Sequence, residues 1–126
     1  MKIEHVAVWT RDLDRLKAFY EHYFGARAGA PYHNEQKQLR SYFLSFESGA
    51  RLELMQRPNI VDAAGPERFG YAHLALSVGS EAAVDALGRR LSADGHPLID
   101  GPRWTGDGYY ECVVLDPDGN RIEITV

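Results

Sequence analysis

His5 sits in Ile3-Glu4-His5-Val6-Ala7-Val8, and His73 sits in Tyr71-Ala72-His73-Leu74-Ala75-Leu76, so each histidine leads into an alternating apolar stretch. Further along, Glu53 lies in Arg51-Leu52-Glu53-Leu54-Met55 and Glu123 in Arg121-Ile122-Glu123-Ile124-Thr125. The two histidines and the two glutamates are separated by nearly equal lengths of chain. The sequence therefore reads as two copies of one unit, each with a strand histidine early and a strand glutamate late. Two imidazoles and two carboxylates arranged by a repeat are the donor set of one divalent cation on the pseudo-symmetry axis of that repeat. Such a set would leave positions open for water or substrate on an octahedral ion, or on a five- or six-coordinate zinc.

A single strand histidine is usually hydrogen-bonded or partly exposed, and a single glutamate between isoleucines usually marks the wet face of a sheet. Four such residues at matched positions call for a common explanation. A carboxylate lining a cavity is costly to bury without a partner, and a divalent cation offsets two of them.

The elements that must position these four follow from periodicity. Residues 2–10 alternate as a strand, with Val6 and Val8 on one face and His5, Ala7 and Trp9 on the other. Thr10 or Asp12 can cap a helix carrying Leu13, Leu16, Phe19 or Tyr20, and Tyr23 or Phe24 at helical spacing, which Gly25 ends. Residues 26–38 are expected to be a polar loop. Strands at 40–47 and 51–56 meet at Ser48-Gly49. If that hairpin pairs Phe46 with Arg51, then Tyr42, Leu44 and Phe46 share the face of Glu53. Residues 57–70, with Pro58, Gly65, Pro66 and Gly70, read as the linker.

The second unit repeats the plan. A strand is expected at 71–78 and a helix capped by Ser80, with Val84, Leu87 and Leu91 buried and Gly95 at its end. A weak strand near 97–100, a glycine-rich loop at 101–108, and strands at 109–115 and 120–126 follow, the last two joined by the turn Asp116-Pro117-Asp118-Gly119. In both units the apolar strand face must pack on the helix. His5, Glu53, His73 and Glu123 all fall on the other face. If the strands curl into a half-open sheet with the helices outside, the four converge in its concavity.

The totals narrow the function classes. A chain of 126 residues is expected to be one domain. A formal charge of −4 argues against a nucleic-acid partner, which calls for a basic stripe. The single Cys112 cannot form an internal disulfide, and it reads as a small strand hydrophobe rather than a nucleophile. No stretch is apolar enough for a signal peptide or a membrane span, so the expectation is a cytoplasmic protein with a small-molecule partner and no membrane partner.

Other residues are weaker candidates. His22, His33 and His96 are expected on a helix, in a polar loop and in a turn. Arg103-Trp104-Thr105-Gly106-Asp107-Gly108-Tyr109 reads either as a substrate-contacting lid or as a surface loop with a packed tryptophan. Glu111 can face either way, because a bulge near the Asp116 turn would shift the register. Substrate contacts are expected from Trp9, Arg11, Tyr42, Arg51, Arg103, Trp104, Tyr109 and Glu111.

These segments resemble the vicinal oxygen chelate superfamily, which includes glyoxalase I, methylmalonyl-CoA epimerase, extradiol dioxygenases, fosfomycin-resistance enzymes and bleomycin-binding proteins. The resemblance covers essentially the whole chain. It is carried by His5-Val-Ala-Val, Asp12-Leu with Phe19-Tyr20 and Gly25, Leu52-Glu53-Leu54, His73-Leu-Ala-Leu-Ser-Val and Asp116-Pro-Asp-Gly-Asn-Arg-Ile-Glu123. The last two segments look most like glyoxalase I.

The fold this implies is α+β: two βαβββ modules, about 1–60 and 70–126, forming a cupped, half-open mixed sheet within one domain, and a homodimer. The resemblance implies that His5, Glu53, His73 and Glu123 bind one divalent metal ion (Ni, Zn, Co, Mn or Fe). It further implies lactoylglutathione lyase-like isomerisation through a metal-stabilised enediolate, with Glu123 as the catalytic base and Glu53 as the alternate. Glutathione is then the candidate cosubstrate, although no motif groups Arg11, Arg40, Arg51 and Arg103 into a set for its carboxylates. The same site would serve an epimerase or an extradiol-type dioxygenase. A fourth protein ligand, Glu53, leans away from the dioxygenases, which resemble a site of two histidines and one carboxylate. A bleomycin-sequestering binding protein would use the cup without chemistry.

Overall fold

In the computed structural model, which describes residues 1–60 and 70–126, two helices and nine strands form two mixed sheets. The chain divides into two compact units, Met1–Ala64 and Gly65–Val126. Gly65 and Pro66 of the expected linker lie outside the described residues.

The first unit runs β1 (His5–Trp9), α1 (Leu13–Phe24), β2 (Arg27–Ala28), β3 (Tyr32–Asn34), β4 (Leu39–Ser45) and β5 (Arg51–Gln56). Its sheet has the order β1-β5-β4-β2, with β3 also on β4, and β1 pairs with β5 in parallel. The stretch expected as a polar loop at 26–38 thus contains two short strands, which pair with successive parts of β4. Asp12 is the N-cap of α1, its carboxylate accepting the Arg15 N–H at 3.0 Å. Gly25 closes the helix at φ 63°, in the left-handed region that glycine adopts without strain. Leu13, Leu16, Phe19 and Tyr20 of α1 are buried, as are Leu44, Leu52 and Leu54 of the strands it packs on.

The second unit runs β6 (Leu74–Ser77), α2 (Glu81–Ala93), β7 (Leu98–Trp104), β8 (Tyr110–Leu115) and β9 (Arg121–Thr125), with sheet order β6-β9-β8-β7. Ser80 caps α2. Val84 and Leu91 are buried, as are Cys112, Val114, Ile122 and Ile124 of the sheet beneath. β6 is shorter than the expected 71–78, so His73 immediately precedes the strand. β7 is longer than expected and absorbs the first half of the glycine-rich loop at 101–108. The turn at Asp116 forms as expected: the Gly119 N–H donates to the Asp116 carbonyl at 2.9 Å, and the Asp116 carboxylate accepts from Asp118 and Asn120.

Among the described residues no helix is long and apolar enough to cross a membrane.

Candidate functional site

The two units place their histidine and glutamate in the same way. In the first, Ala7 lies opposite Glu53 on the parallel β1–β5 pair, so His5, two residues earlier, is diagonal to the glutamate on the same face. In the second, Ala75 lies opposite Glu123 on the parallel β6–β9 pair, and His73 stands two residues before it. The His73 Nε2 is 3.1 Å from a Glu123 carboxylate oxygen, and the His5 Nε2 is 3.9 Å from a Glu53 oxygen. Both imidazoles are 40% exposed, whereas the carboxylates are only 16% (Glu53) and 21% (Glu123) exposed. A carboxylate so far withdrawn from water needs a cation or donors to offset its lost hydration.

Two ligands about 2.1 Å from one ion and at right angles to each other lie roughly 3 Å apart. The His73–Glu123 pair already meets that spacing. The His5–Glu53 pair would close by roughly an ångström to meet it. Among the described residues no group of three or more His, Cys, Asp or Glu side chains is gathered as for a metal ion. The donor set read from the sequence is thus present as two like pairs, each chemically suited to supply two ligands.

Around His5 and Glu53 the neighbours are aromatic and cationic. Phe43 lies opposite Glu53 on β4, and its ring meets the His5 ring edge-on with centroids 5.2 Å apart. This corrects the expected register. The β4–β5 hairpin pairs Leu44 with Leu52 and Tyr42 with Leu54, one residue away from the assumed pairing, and such a slip exchanges the faces. Tyr42 therefore stands on the helix side. Its hydroxyl is 3.5 Å from Asp14, and the Lys17 ammonium sits 4.9 Å above its ring.

Arg51 stacks on Phe43 at 4.1 Å and is ion-paired to Glu4, whose other carboxylate oxygen is 2.5 Å from His5 Nδ1. The bond to His5 is the largest influence holding the Glu4 carboxyl below its usual range, with Arg51 adding to it. Trp9 closes β1, and the Arg57 guanidinium lies 5.3 Å from its ring. The Arg57 Nε is buried without a hydrogen-bond partner among the described residues. The Arg11 carbonyl accepts from Gln56. Neither Glu4 nor Arg57 was singled out from sequence, since each looks like an ordinary charged residue at a strand end.

In the second unit a doubly bulged β7 decides what surrounds Glu123. The register with β8 shifts between Leu98 and Asp100 and again between Asp100 and Arg103. Residues three apart on a regular strand point to opposite faces. The shifts instead pair Asp100 with Val113 and Arg103 with Glu111, and Val113 lies opposite Glu123. Asp100, Arg103 and Glu111 thus share the Glu123 face. Arg103 bonds Asp100 closely and lies 3.8 Å from Glu111.

Burial, foremost, and the nearby Glu123 charge push the Glu111 carboxyl up, against an opposing pull from Arg103. Trp104 pairs with Tyr110 and touches its ring, and the Tyr110 hydroxyl bonds Asp85 of α2. Trp104 therefore lies on the helix side of the sheet, away from the Glu123 face, which corrects the lid reading for that residue. Tyr109 is 55% exposed in the turn before β8, tied through its backbone to Thr105.

A model of the Glyoxalase/Bleomycin resistance protein/Dioxygenase superfamily matches residues 2–124. An uncharacterized protein of Pseudomonas aeruginosa is 31% identical over 128 residues, spanning 98% of this chain and 86% of its own. Among solved structures, a lactoylglutathione lyase from Agrobacterium tumefaciens is 26% identical with a TM-score of 0.70, over 98% of this chain and 91% of the other. The trypanothione-dependent glyoxalase I of Leishmania major, 23% identical, shares the fold with a TM-score of 0.80 over 99% of this chain and 86% of its own.

Proposed function

The chain belongs to the Glyoxalase/Bleomycin resistance protein/Dioxygenase superfamily, and from that premise we propose that it is a metal-dependent enzyme of the glyoxalase I type. His5 and Glu53 from the first unit and His73 and Glu123 from the second are the proposed ligands of one divalent ion. The observation that carries this reading is the repetition of one His–Glu diagonal on two parallel strand pairs, with imidazole and carboxylate 3.9 and 3.1 Å apart. The likeness to a lactoylglutathione lyase over nearly the whole chain supports the reaction class.

The proposed reaction isomerises the hemithioacetal of a 2-oxoaldehyde and a thiol, with glutathione the candidate thiol, to the thioester of a 2-hydroxy acid. Glu123 takes the proton from the carbon bearing sulfur and returns it to the neighbouring carbonyl carbon, while the hydroxyl proton of the first carbon passes to the oxygen of the second, so that atoms and electrons balance without an external oxidant. A divalent ion held by His5, Glu53, His73 and Glu123 would supply Lewis acidity toward negative charge developing on the substrate oxygens. His5 and His73 offer neutral nitrogen donors. Arg57, whose guanidinium lies over Trp9, is the proposed partner for an anionic group of the substrate.

The test is metal analysis followed by reloading of the apo protein with Ni, Co, Zn and Mn, each form assayed on the methylglyoxal–glutathione hemithioacetal. Wild-type chain is expected to bind one ion per four-ligand set and to turn over. His5→Ala and His73→Ala are each expected to weaken metal binding, and Glu123→Gln to remove turnover, with the fold retained by circular dichroism. Wild-type metal stoichiometry in His5→Ala and His73→Ala would refute the ligand assignment. Metal without turnover would move the search to epimerase or dioxygenase substrates.

A further inference from the structure

The outer nitrogen of the His5 ring is engaged by a carboxylate. This atom, Nδ1, is 2.5 Å from one Glu4 oxygen, and the other Glu4 oxygen accepts from Arg51 Nε at 2.8 Å. Arg51 lies directly opposite His5 on β5, and its guanidinium is stacked 4.1 Å from the centre of Phe43. Phe43 in turn meets the His5 ring edge-on. These four contacts close a loop: imidazole, carboxylate, guanidinium, phenyl ring and back to the imidazole.

The backbone makes the loop geometrically economical. Glu4 immediately precedes β1, and its carbonyl accepts the Arg51 N–H at 3.0 Å, extending the parallel ladder by one bond. Both charged side chains therefore leave neighbouring strands at the level of His5. At the matching position of the second unit, the residue before His73 is Ala72, which carries no carboxylate.

We infer that Glu4 and Arg51 are positioning residues for His5: Glu4 accepts a hydrogen bond from Nδ1–H, which leaves Nε2 without a proton and turned toward Glu53, and Arg51 with Phe43 holds that arrangement. A carboxylate on the outer nitrogen of a ligating histidine selects the tautomer, orients the ring and raises the basicity of the inner nitrogen. Arg51, read from sequence as a substrate contact, is thereby assigned to the support of the site. Its guanidinium brings two nitrogens to one Glu4 oxygen while stacking on Phe43, a combination a lysine cannot supply. The first unit's pair, wider at 3.9 Å than the 3.1 Å of the second, thus has a means of keeping its imidazole presented.

This inference rests on the proposed ligand role of His5, and its test separates the two. In metal-free, 15N-histidine-labelled full chain, with His5 identified by its loss in His5→Gln, the ring nitrogen shifts report the tautomer. Wild type is expected to carry the proton on Nδ1. Glu4→Ala is expected to move it toward the Nε2–H form, and Arg51→Lys to give a mixture. Nickel affinity, read by competition with a chromophoric chelator, is expected to fall about tenfold in Glu4→Ala and less in Arg51→Lys. A surface ion pair without a positioning role would leave both readouts unchanged. An unchanged tautomer, or unchanged nickel affinity in a Glu4→Ala chain that melts like wild type, overturns the inference while wild-type nickel binding still supports the ligand reading. A wild-type chain that takes up no nickel overturns the ligand reading, and this inference with it.

Discussion

Gly101 is where the fold and the candidate site depend on one missing side chain. It sits at φ +76° in the bulged part of β7 that brings Asp100 and Arg103 onto the Glu123 face. A Cβ at this position would meet the Glu111 carbonyl oxygen at 2.5 Å, the Cys112 Cα at 3.0 Å and the Arg103 nitrogen at 3.2 Å. All three are backbone atoms, so no side chain can swing aside.

For Gly101→Ala, the left-handed conformation costs about 1 kcal/mol and the displacement of β8 roughly another 1–3 kcal/mol. The sum, about 2–4 kcal/mol, corresponds to a drop in Tm on the order of 10 °C for a chain of this length. Gly88→Ala is the matched control. Its Cβ would meet only the Cys112 Sγ at 3.3 Å and Leu98 methyls from 3.4 Å, all side-chain atoms, within a helix where alanine gains about 1 kcal/mol. Thermal melts followed by circular dichroism compare the two variants. A Gly101→Ala melt within about 2 °C of wild type, or one no lower than Gly88→Ala, would refute the reasoning.

Other expectations follow from burial and charge. Because Glu111 is raised by burial, the unfolded chain releases that proton first. Stability is therefore lost as pH rises from the ordinary carboxylate range through the folded value, and the penalty persists at neutral pH. Glu111→Gln in the metal-free chain is then expected to melt higher than wild type at pH 7 and alike at pH 4; a lower melt at pH 7 would contradict this. Cys112 is fully buried, and burial pushes its thiol up to about 11, so a chromogenic disulfide reagent at pH 8 should label it only after unfolding, and rapid labelling of native chain would show the core reading to be wrong. Arg57→Ala is expected to raise KM for an anionic substrate about tenfold or more with kcat little changed, a pattern that a loss confined to kcat would exclude.

The sequence by itself determined what depends on neighbours along the chain. The repeat of strand, helix and strands is written in the matched His-Val-Ala-Val and His-Leu-Ala-Leu segments, and the helix limits are written in Asp12, Gly25 and Ser80. Alternation alone put His5 and Glu53 on the face opposite the buried leucines, because the side-chain period of a strand is fixed by its covalent geometry.

Register and bulges are set by contacts between strands, and only the tertiary structure decided them. A one-residue slip in the β4–β5 hairpin put Phe43 beside Glu53 and sent Tyr42 to the helix side. Two extra residues in β7 put Asp100 and Arg103 on one face, where simple alternation separates them, and put Trp104 on the other. The Glu4–Arg51 clamp joins residues distant in the chain, and its function depends on the carboxylate meeting Nδ1 rather than Nε2. No periodicity encodes that choice. It arises when two parallel strands bring Glu4 and Arg51 to the same level, so that the imidazole turns Nδ1 to the anchored Glu4 carboxylate and Nε2 to Glu53.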